Sequence, residues 1–490
     1  MGSPRGKADL TIPSRVGLGL GLSLISLAGC AVGPNFKTPP APPASAYGEV
    51  AGRDLGDAGR GESRQELVPA APASGPWWTA FKSSELDALE RAALANNQTL
   101  TAARANLAQA RDAVAQARGA LYPQVDFGAT ASRLKTSLLP EGINQLGPVT
   151  NDFTIGPSVS YLLDPFGGQS RLREQKRAAA EQRAFEAQAA ALAVTAEVAR
   201  TLIDAARVRD QLEALEALAR DDEQTLDGVS RLAVLQLRTI ADVEAARSQL
   251  ASDRALAPPL RQQLAIDQDA LAILVGKTPG EAAPIDLGLK ALTLPRALPL
   301  TVPADLVRQR PDVRAAEAQL HAASAAIGVA TAQLYPSFTL SGAITQESLS
   351  TSNLFTSAAT GGFLAASLAA PILHGGALRA QRRETLDAYD AAYADYRQTV
   401  LKSCGQVADV LHALDHDAQL MQSEQQSVDA SARALEAARA QYAVARIDLL
   451  RVLQAERDLG RAQVALIAAR AQRDMDTVQL FAAIGGRGLG

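Results

Sequence analysis

Residues able to do covalent or metal chemistry are scarce in this chain. Its 490 residues include four histidines and two cysteines, a paucity that, with no convergent polar motif in view, speaks against an enzyme. The one suggestive pair, His412 and His416, stands one helical turn apart beside Asp409 and Asp415, a spacing that can hold a metal. The intervening Ala413-Leu414-Asp415 lacks the glutamate of the zinc-protease motif. The pair therefore reads as a helix face, and no catalytic residue, metal or cofactor is expected. A Gly-rich phosphate loop is missing too. Lys and Arg number 48 against 52 Asp and Glu, a net charge of −4, which leaves no basic footprint for nucleic acid. No apolar run reaches the roughly 18 residues of a spanning helix, so any crossing of a bilayer must be made by strands.

What is present is one arrangement written twice. The helical runs Leu100 to Ala120 and Val313 to Gln333 stop at Leu121-Tyr122-Pro123 and Leu334-Tyr335-Pro336. Proline cannot continue a helix and pushes its predecessor toward extended geometry, so each copy switches from helix to strand at the same place. Each copy then reaches a glycine corner, Gly167-Gly168 or Gly375-Gly376, and a proline-free tract follows, Ser170 to about Asp227 and Ala377 to about Tyr442. At 1.5 Å per residue, roughly 60 residues span about 90 Å. Such helices must pack on others along their length. Alanines at Ala178 to Ala180 and Ala189 to Ala191 permit close approach, and Arg171, Arg173, Glu174 and Lys176 suit a watery face. Return helices from Ile240 to Val275 and Leu449 to Ile484 make antiparallel hairpins.

The strands alternate with a period of two. Val125, Phe127, Ala129 and Ala131 oppose Asp126, Gly128, Thr130 and Ser132; Phe153, Ile155, Pro157, Val159 and Tyr161 oppose Thr154, Gly156, Ser158 and Ser160. In the second copy Phe338, Leu340 and Ile344 oppose Ser337, Thr339, Ser341 and Thr345, while Gly361 to Ala370 is too Ala-rich to assign faces. About ten residues at ~3.3 Å, tilted ~45°, cross the roughly 25 Å apolar band of an outer-membrane barrel. Four strands cannot close, and open edges in lipid leave backbone groups unsatisfied, so a barrel needs other copies. The alternative is a periplasmic coiled-coil lipoprotein scaffold with no pore, which has no use for the alternation.

Arg5, Lys7 and Arg15 precede an apolar stretch from Val16 to Leu27, the form of a bacterial secretory signal. Leu27-Ala28-Gly29-Cys30 resembles a lipobox, which makes Cys30 the lipidation site, and Ala31 after it indicates the outer membrane as destination. The expected organisation is a signal peptide over 1–29, a lipidated tether over 30–76, a first repeat over 77–277, a Pro-rich linker over 278–310, a second repeat over 311–486 and a tail over 487–490. Order resumes at Trp77-Trp78 and Phe81, with Ser84 as the expected helix cap and Asp87 near the capping-box position. Cys404 is expected as a small residue buried within a helix.

Several of these stretches together resemble a known family, the TolC-like outer-membrane factors of tripartite efflux systems, in their NodT-type lipoprotein branch. They are Cys30-Ala31-Val32-Gly33-Pro34-Asn35-Phe36, Trp77-Trp78 with Phe81 and Leu86, Arg310-Pro311-Asp312-Val313-Arg314-Ala315-Ala316-Glu317, Leu334-Tyr335-Pro336-Ser337-Phe338 and Leu480-Phe481-Ala482-Ala483-Ile484-Gly485-Gly486. The resemblance implies a mixed α and β membrane protein. Duplicated long helical hairpins would form a periplasmic α-barrel, and four strands per chain would enter a twelve-stranded outer-membrane β-barrel of a homotrimer. It further implies passive export of small molecules, with a periplasmic adaptor (membrane fusion) protein, an inner-membrane RND-type pump and outer-membrane lipid as partners, and no nucleic acid. In such proteins tyrosine, aspartate and arginine at the hairpin tips close the entrance. The matching candidates here are Tyr442 and Asp242, with Arg446 and Asp448 as charged neighbours, although Ala445 and Gln236 or Leu237 stand where the family has glycine.

Overall fold

The computed structural model describes residues 31–41, 65–69, 75–137, 142, 146–281, 285–300 and 303–486; Cys30, the expected signal peptide over 1–29 and the expected tail over 487–490 lie outside them. The first elements are strand β1 (Glu66–Pro69), a 3-10 turn (Trp77–Phe81) and helices α1 (Ser84–Asn96) and α2 (Gln98–Gly119). Strands β2 (Gln124–Ser137) and β3 (Leu146–Leu163) follow, then the long helix α3 (Gly168–Val234) and the return pair α4 (Ile240–Arg254) and α5 (Ala257–Leu274). A short strand β4 (Ala297–Leu300) and helix α6 (Pro303–Gln309) lead into α7 (Pro311–Ala332). The second copy then gives β5 (Ser337–Ser348), β6 (Thr360–Ala369), α8 (Ala377–Ala443) and α9 (Leu449–Ala483). Both long helices, α3 and α8, contain 67 residues.

Two compact units each draw on both copies. One comprises Met1–Thr38, Gln109–Glu181 and Ala318–Ala394; the other Pro39–Ala108, Gln182–Glu317 and Asp395–Gly490. The first holds a four-stranded antiparallel sheet of order β2-β3-β5-β6. Leu-Tyr-Pro sets its entry twice, since β2 and β5 each begin directly after the proline. At the exits Gly167 adopts φ +75° and Gly376 φ +85°, left-handed geometry that turns the chain sharply into α3 and α8.

In the second unit Trp77, Trp78 and Phe81 are buried with Leu202, Ile203, Leu411, Val478 and Phe481 in one core. Trp77 stacks on Phe481 at 5.7 Å between ring centroids and donates its indole N–H to Thr195. Alanine does what its size suggests: Ala196, Ala199, Ala206 and Ala471 lie buried between helices, and at Gly460 of α9 an added Cβ would stand 2.8 Å from Leu218 of α3. Arg310, almost fully buried, sits at the α6–α7 corner. It donates to both carboxylate oxygens of Asp312, to Gln406 Oε1 at 2.8 Å and to the Ala483 carbonyl at 2.9 Å, tying the start of α7 to the end of α9.

Three local expectations are corrected. The cap of α1 is Ser83, whose hydroxyl accepts from the Leu86 N–H, while Asp87 accepts from Trp78 Nε1 and pairs with Arg91. The first return helix is interrupted at Ala255-Leu256, because Pro258-Pro259 fit only the first turn of a helix, where their missing N–H groups cost nothing. The tether and the Pro-rich linker also carry strands, β1 and β4, which pair in parallel from Glu66 with Ala297 to Pro69 with Leu300. Strands this short carry no readable alternation.

Replacing Arg310 by Ala strands the Ala483 carbonyl and Gln406, and should lower unfolding stability by on the order of 2–4 kcal/mol. Thermal melting followed by circular dichroism measures this. A loss below about 1 kcal/mol would show that the corner holds without the guanidinium.

Candidate functional site

Register turns separate alternations into two continuous faces. Val125, Phe127 and Ile155 share one face with Val159 and Tyr161, and across the β3–β5 and β5–β6 ladders the same face continues through Phe338, Leu340 and Ile344 to Leu364 and Leu368. The opposite face carries Asp126, Thr130, Thr154, Ser158, Ser160, Thr339, Ser341 and Ser367, with Leu162 and Phe363 among them. Pairing thereby assigns β6, whose own composition does not. Phe127 is 70% exposed and Leu364 86% exposed in the single chain, so this apolar face has no cover from the described residues. Gly156-Pro157 interrupt the β3–β5 ladder. Proline has no N–H to give, and an added Cβ at Gly156 would meet the Ile344 carbonyl oxygen at 2.2 Å.

The residues after Cys30 are seated rather than loose. Arg171 of α3, which sequence placed on a watery face, is buried and donates to the carbonyls of Val32 and Gly33 and to Asn35 Oδ1 at 2.7 Å. Its other branch meets Glu174 at 2.7 Å, and Glu174 also accepts from His321 Nε2 of α7 at 3.0 Å. Phe36 stacks on the His321 ring, centroids 4.5 Å apart. Partial burial opposes ionisation of Glu174, but the hydrogen bonds from His321 and Arg171 outweigh it and hold the carboxyl below its usual range. Gly33 and Gly328 allow the strap to lie directly on α7; a Cβ on Gly33 would stand 2.5 Å from the Gly328 Cα. Nothing in the spacing of Arg171, Glu174, His321 and Gly328 announces this clasp, because its members come from three separate stretches of chain.

At the hairpin turns Gln236 (φ +58°) and Ala445 (φ +56°) take the left-handed positions where glycine is the easier residue. Both turns close alike. Leu237 N–H donates to Leu232 O and Gln236 N–H to Ala233 O, while Arg446 N–H donates to Gln441 O and Ala445 N–H to Tyr442 O. The four candidates have separate local partners. Asp242 accepts from the N–H and hydroxyl of Thr239 in a reciprocal capping box at the start of α4. Asp448 caps α9 by accepting from Arg451 N–H. Tyr442 carries Arg238 over its ring at 4.3 Å and packs beside Val229, Val243, Leu449 and Leu453. Its hydroxyl is buried without a partner, and burial pushes the phenol up, with Arg238 and Asp242 acting in opposite senses. Arg446 is exposed at the turn. Tyr442 of the second turn is therefore a neighbour of Arg238 and Asp242 at the first, while Asp448 and Arg446 stay at the second turn. His412 and His416 lie exposed on α8, and no cluster of metal-binding side chains occurs among the described residues.

The family described as outer membrane efflux protein matches residues 89–277 and 302–486. Over 473 residues the chain is 30% identical to nodulation protein T of Rhizobium leguminosarum bv. viciae, covering 94% of this chain and 91% of that one. It is 30% identical over 420 residues to the pyoverdine export outer membrane protein OpmQ of Pseudomonas putida, with 84% and 87% covered. Among solved structures, the outer-membrane channel OprN is similar with a TM-score of 0.84 at 26% identity, covering 94% of this chain and 100% of that one.

The clasp can be tested at Gly328, where an added Cβ would stand 2.7 Å from Arg171 Cγ and 3.0 Å from the Val32 carbonyl. Gly328→Val should free the strap and speed limited proteolysis within residues 31–41 by on the order of ten-fold, the equivalent of ~1.4 kcal/mol of seating energy. Acid should act in the same direction. The Glu174 pKa is lowered in the folded chain, so its contribution is present at neutral pH and is lost as pH falls through that lowered value.

Proposed function

The chain belongs to the outer membrane efflux protein family, and from that premise we propose that it works as a homotrimeric passive duct, receiving solutes from an inner-membrane RND-type pump through a periplasmic adaptor. It is an outer-membrane channel component of an efflux system, built from long helical hairpins and a membrane sheet. The observation that carries the assembly is the sheet itself, with an apolar face across all four strands, a hydroxyl-rich face behind it, and β2 and β6 each paired on one side only among the described residues. Hydrocarbon tolerates no open edge, so β6 of one copy must meet β2 of the next until the ring closes. Three copies supply twelve strands, enough to enclose an aqueous lumen. Export then needs no reaction by this chain; solutes move down the duct, and the pump supplies the work.

Cys30 is proposed as the lipidated mature N-terminus, with the Val32–Phe36 strap seating it by the Arg171 clasp. The gate is proposed at the hairpin tips, with Tyr442 and Asp242 at its centre and Arg446 and Asp448 beside them. What supports this is the convergence of Asp242 and Arg238 from the first turn with Tyr442 from the second, and a Tyr442 hydroxyl left without a partner in the single chain. That hydroxyl would bond to a neighbouring hairpin in the closed ring. Exposed Val234, Leu235, Leu237, Ile240, Val444 and Leu450 at the tips support a protein partner there, the proposed adaptor.

Reconstitution in planar bilayers tests the duct: discrete conductance steps from a detergent-stable trimer are expected, and a monomer without conductance would end the reading. Cys30→Ser should lose its acyl chains yet stay in the membrane, because strands rather than lipid insert the chain; a wholly soluble variant would contradict the barrel. Asp242→Ala should raise conductance several-fold, as ~1 kcal/mol per copy sums over three copies. Asp242→Asn, which keeps the cap on α4, separates loss of charge from loss of the helix start. Tyr442→Phe should act in the same direction but less. Unchanged conductance in the Asp242→Ala/Tyr442→Phe double variant would place the gate elsewhere.

A further inference from the structure

Transport does not account for two pairs of carboxyl groups that lie between the arms of the two hairpins. In the first, Asp222 of α3 meets Asp253 of α4; in the second, Asp417 of α8 meets Asp476 of α9. The members of each pair lie at nearly equal distances from the turn that joins their helices. Asp222 is 1% exposed, Asp253 5% and Asp417 7%, and Asp476 is half-buried. Two carboxyl groups in contact away from water are costly as a pair of anions, and a carboxylate has acceptors only, so it cannot bond to its twin. Both oxygens of Asp222, and Oδ2 of Asp417, are without a hydrogen-bond donor.

Their surroundings do not supply the missing positive charge to the first pair. Asp253 accepts from Gln249 of its own helix, and Gln249 is in turn held by Arg457 of α9. Glu456 of α9 and Asp221 of α3 add negative charge, and Arg439 of α8 is committed to them, at 2.8 Å from Glu456 and 3.5 Å from Asp221. Arg254 of α4 is paired with Glu223. Around the second pair, Asp476 accepts from Gln472 at 2.9 Å, and Arg473 of α9, which donates to Gln65, is the nearby cation.

We propose that each hairpin is fastened by a shared proton, Asp222 donating to Asp253 and Asp417 to Asp476, so that the two arms grip in mildly acid medium and loosen as the protons leave. One proton turns a repulsive contact into a hydrogen bond across the hairpin. Burial first, and then the partner carboxyl, push Asp222 up to about 8 and Asp417 up to about 7, with Arg473 lowering the latter. The sign follows. Folded values above the free carboxyl range mean that the stabilisation is complete below that range and is lost as pH rises through neutrality, the second hairpin letting go before the first. The fastener depends on helix packing alone and not on any solute passing.

Hydrogen exchange of the assembled full-length channel in detergent, corrected for the intrinsic exchange rate, reads this directly. Between about pH 5.5 and pH 8 the local opening constant of peptides within 215–230 and 246–260 should rise by about ten-fold per pH unit for the one proton released, then level off. Asp222→Asn cannot ionise and carries its own donor, so it should flatten the slope in the first hairpin while peptides around 417 and 476 keep theirs; Asp417→Asn should do the reverse. Should Asp222→Asn fail to assemble, Asp253→Asn provides the same test, since its amide then donates to Asp222. A flat profile in the unaltered protein, or an unchanged slope in the first hairpin of either variant of that pair, would overturn the proposal. Because conductance plays no part in the readout, a failure of the duct reading would leave this result interpretable.

Discussion

The governing constraint on this molecule is that a backbone N–H or C=O in hydrocarbon must have a partner. Four strands pair with one another through three antiparallel ladders and present two outer edges, β2 and β6. In water such edges are a nuisance that charge or proline can blunt. In lipid they forbid the isolated chain. The chain's small allotment of strand, set against its long helices, follows from the same constraint, since a membrane element need only cross about 25 Å and closure is shared among copies.

The helical part obeys a different balance. Its helices are rich in alanine and charge and poor in large apolar groups, so close approach takes the place of bulk, as where Gly460 meets Leu218. Close approach also buries polar groups that a thicker core would hold apart. Arg310 is satisfied four times over and ties a corner. Asp222 and Asp417 become good neighbours only with a proton. Glu90, fully buried beside Asp87 and without a hydrogen-bond partner, is pushed by burial up to about 9 and is likewise neutral. An Ala-rich bundle thus collects uncharged acids as a consequence of how it packs.

Much of the secondary structure was legible, and the reasons are specific. Leu-Tyr-Pro marked both helix-to-strand switches because proline acts locally, and period-two runs marked three of the strands because each has two unlike faces. The break at Ala255-Leu256 was readable from Pro258-Pro259 but is easily passed over inside a long helical pattern. Harder cases share a cause: β1 and β4 are four-residue strands whose pairing is supplied by residues more than two hundred positions away. Arg171 looks like any solvated helix arginine until Val32, Gly33 and Asn35 arrive from the other end of the chain. At the tips, Ala445 and Gln236 stand where glycine is expected, yet both adopt the left-handed angle, because the hydrogen bonds closing each turn outweigh a modest steric cost.

The sequence by itself determined what depends on near neighbours: where helices stop, which residues alternate and where the corners bend. Tertiary structure alone decided which face β6 turns to the apolar side, which of many identical-looking charged helix residues are buried, and which side chains meet at the strap, the Arg310 corner and the carboxyl pairs. Register and burial are properties of pairs brought together from distant stretches. A single stretch of an Ala, Glu, Gln and Arg helix offers the same residues to every face, so nothing local distinguishes the aspartate that will meet water from the one that will meet another aspartate.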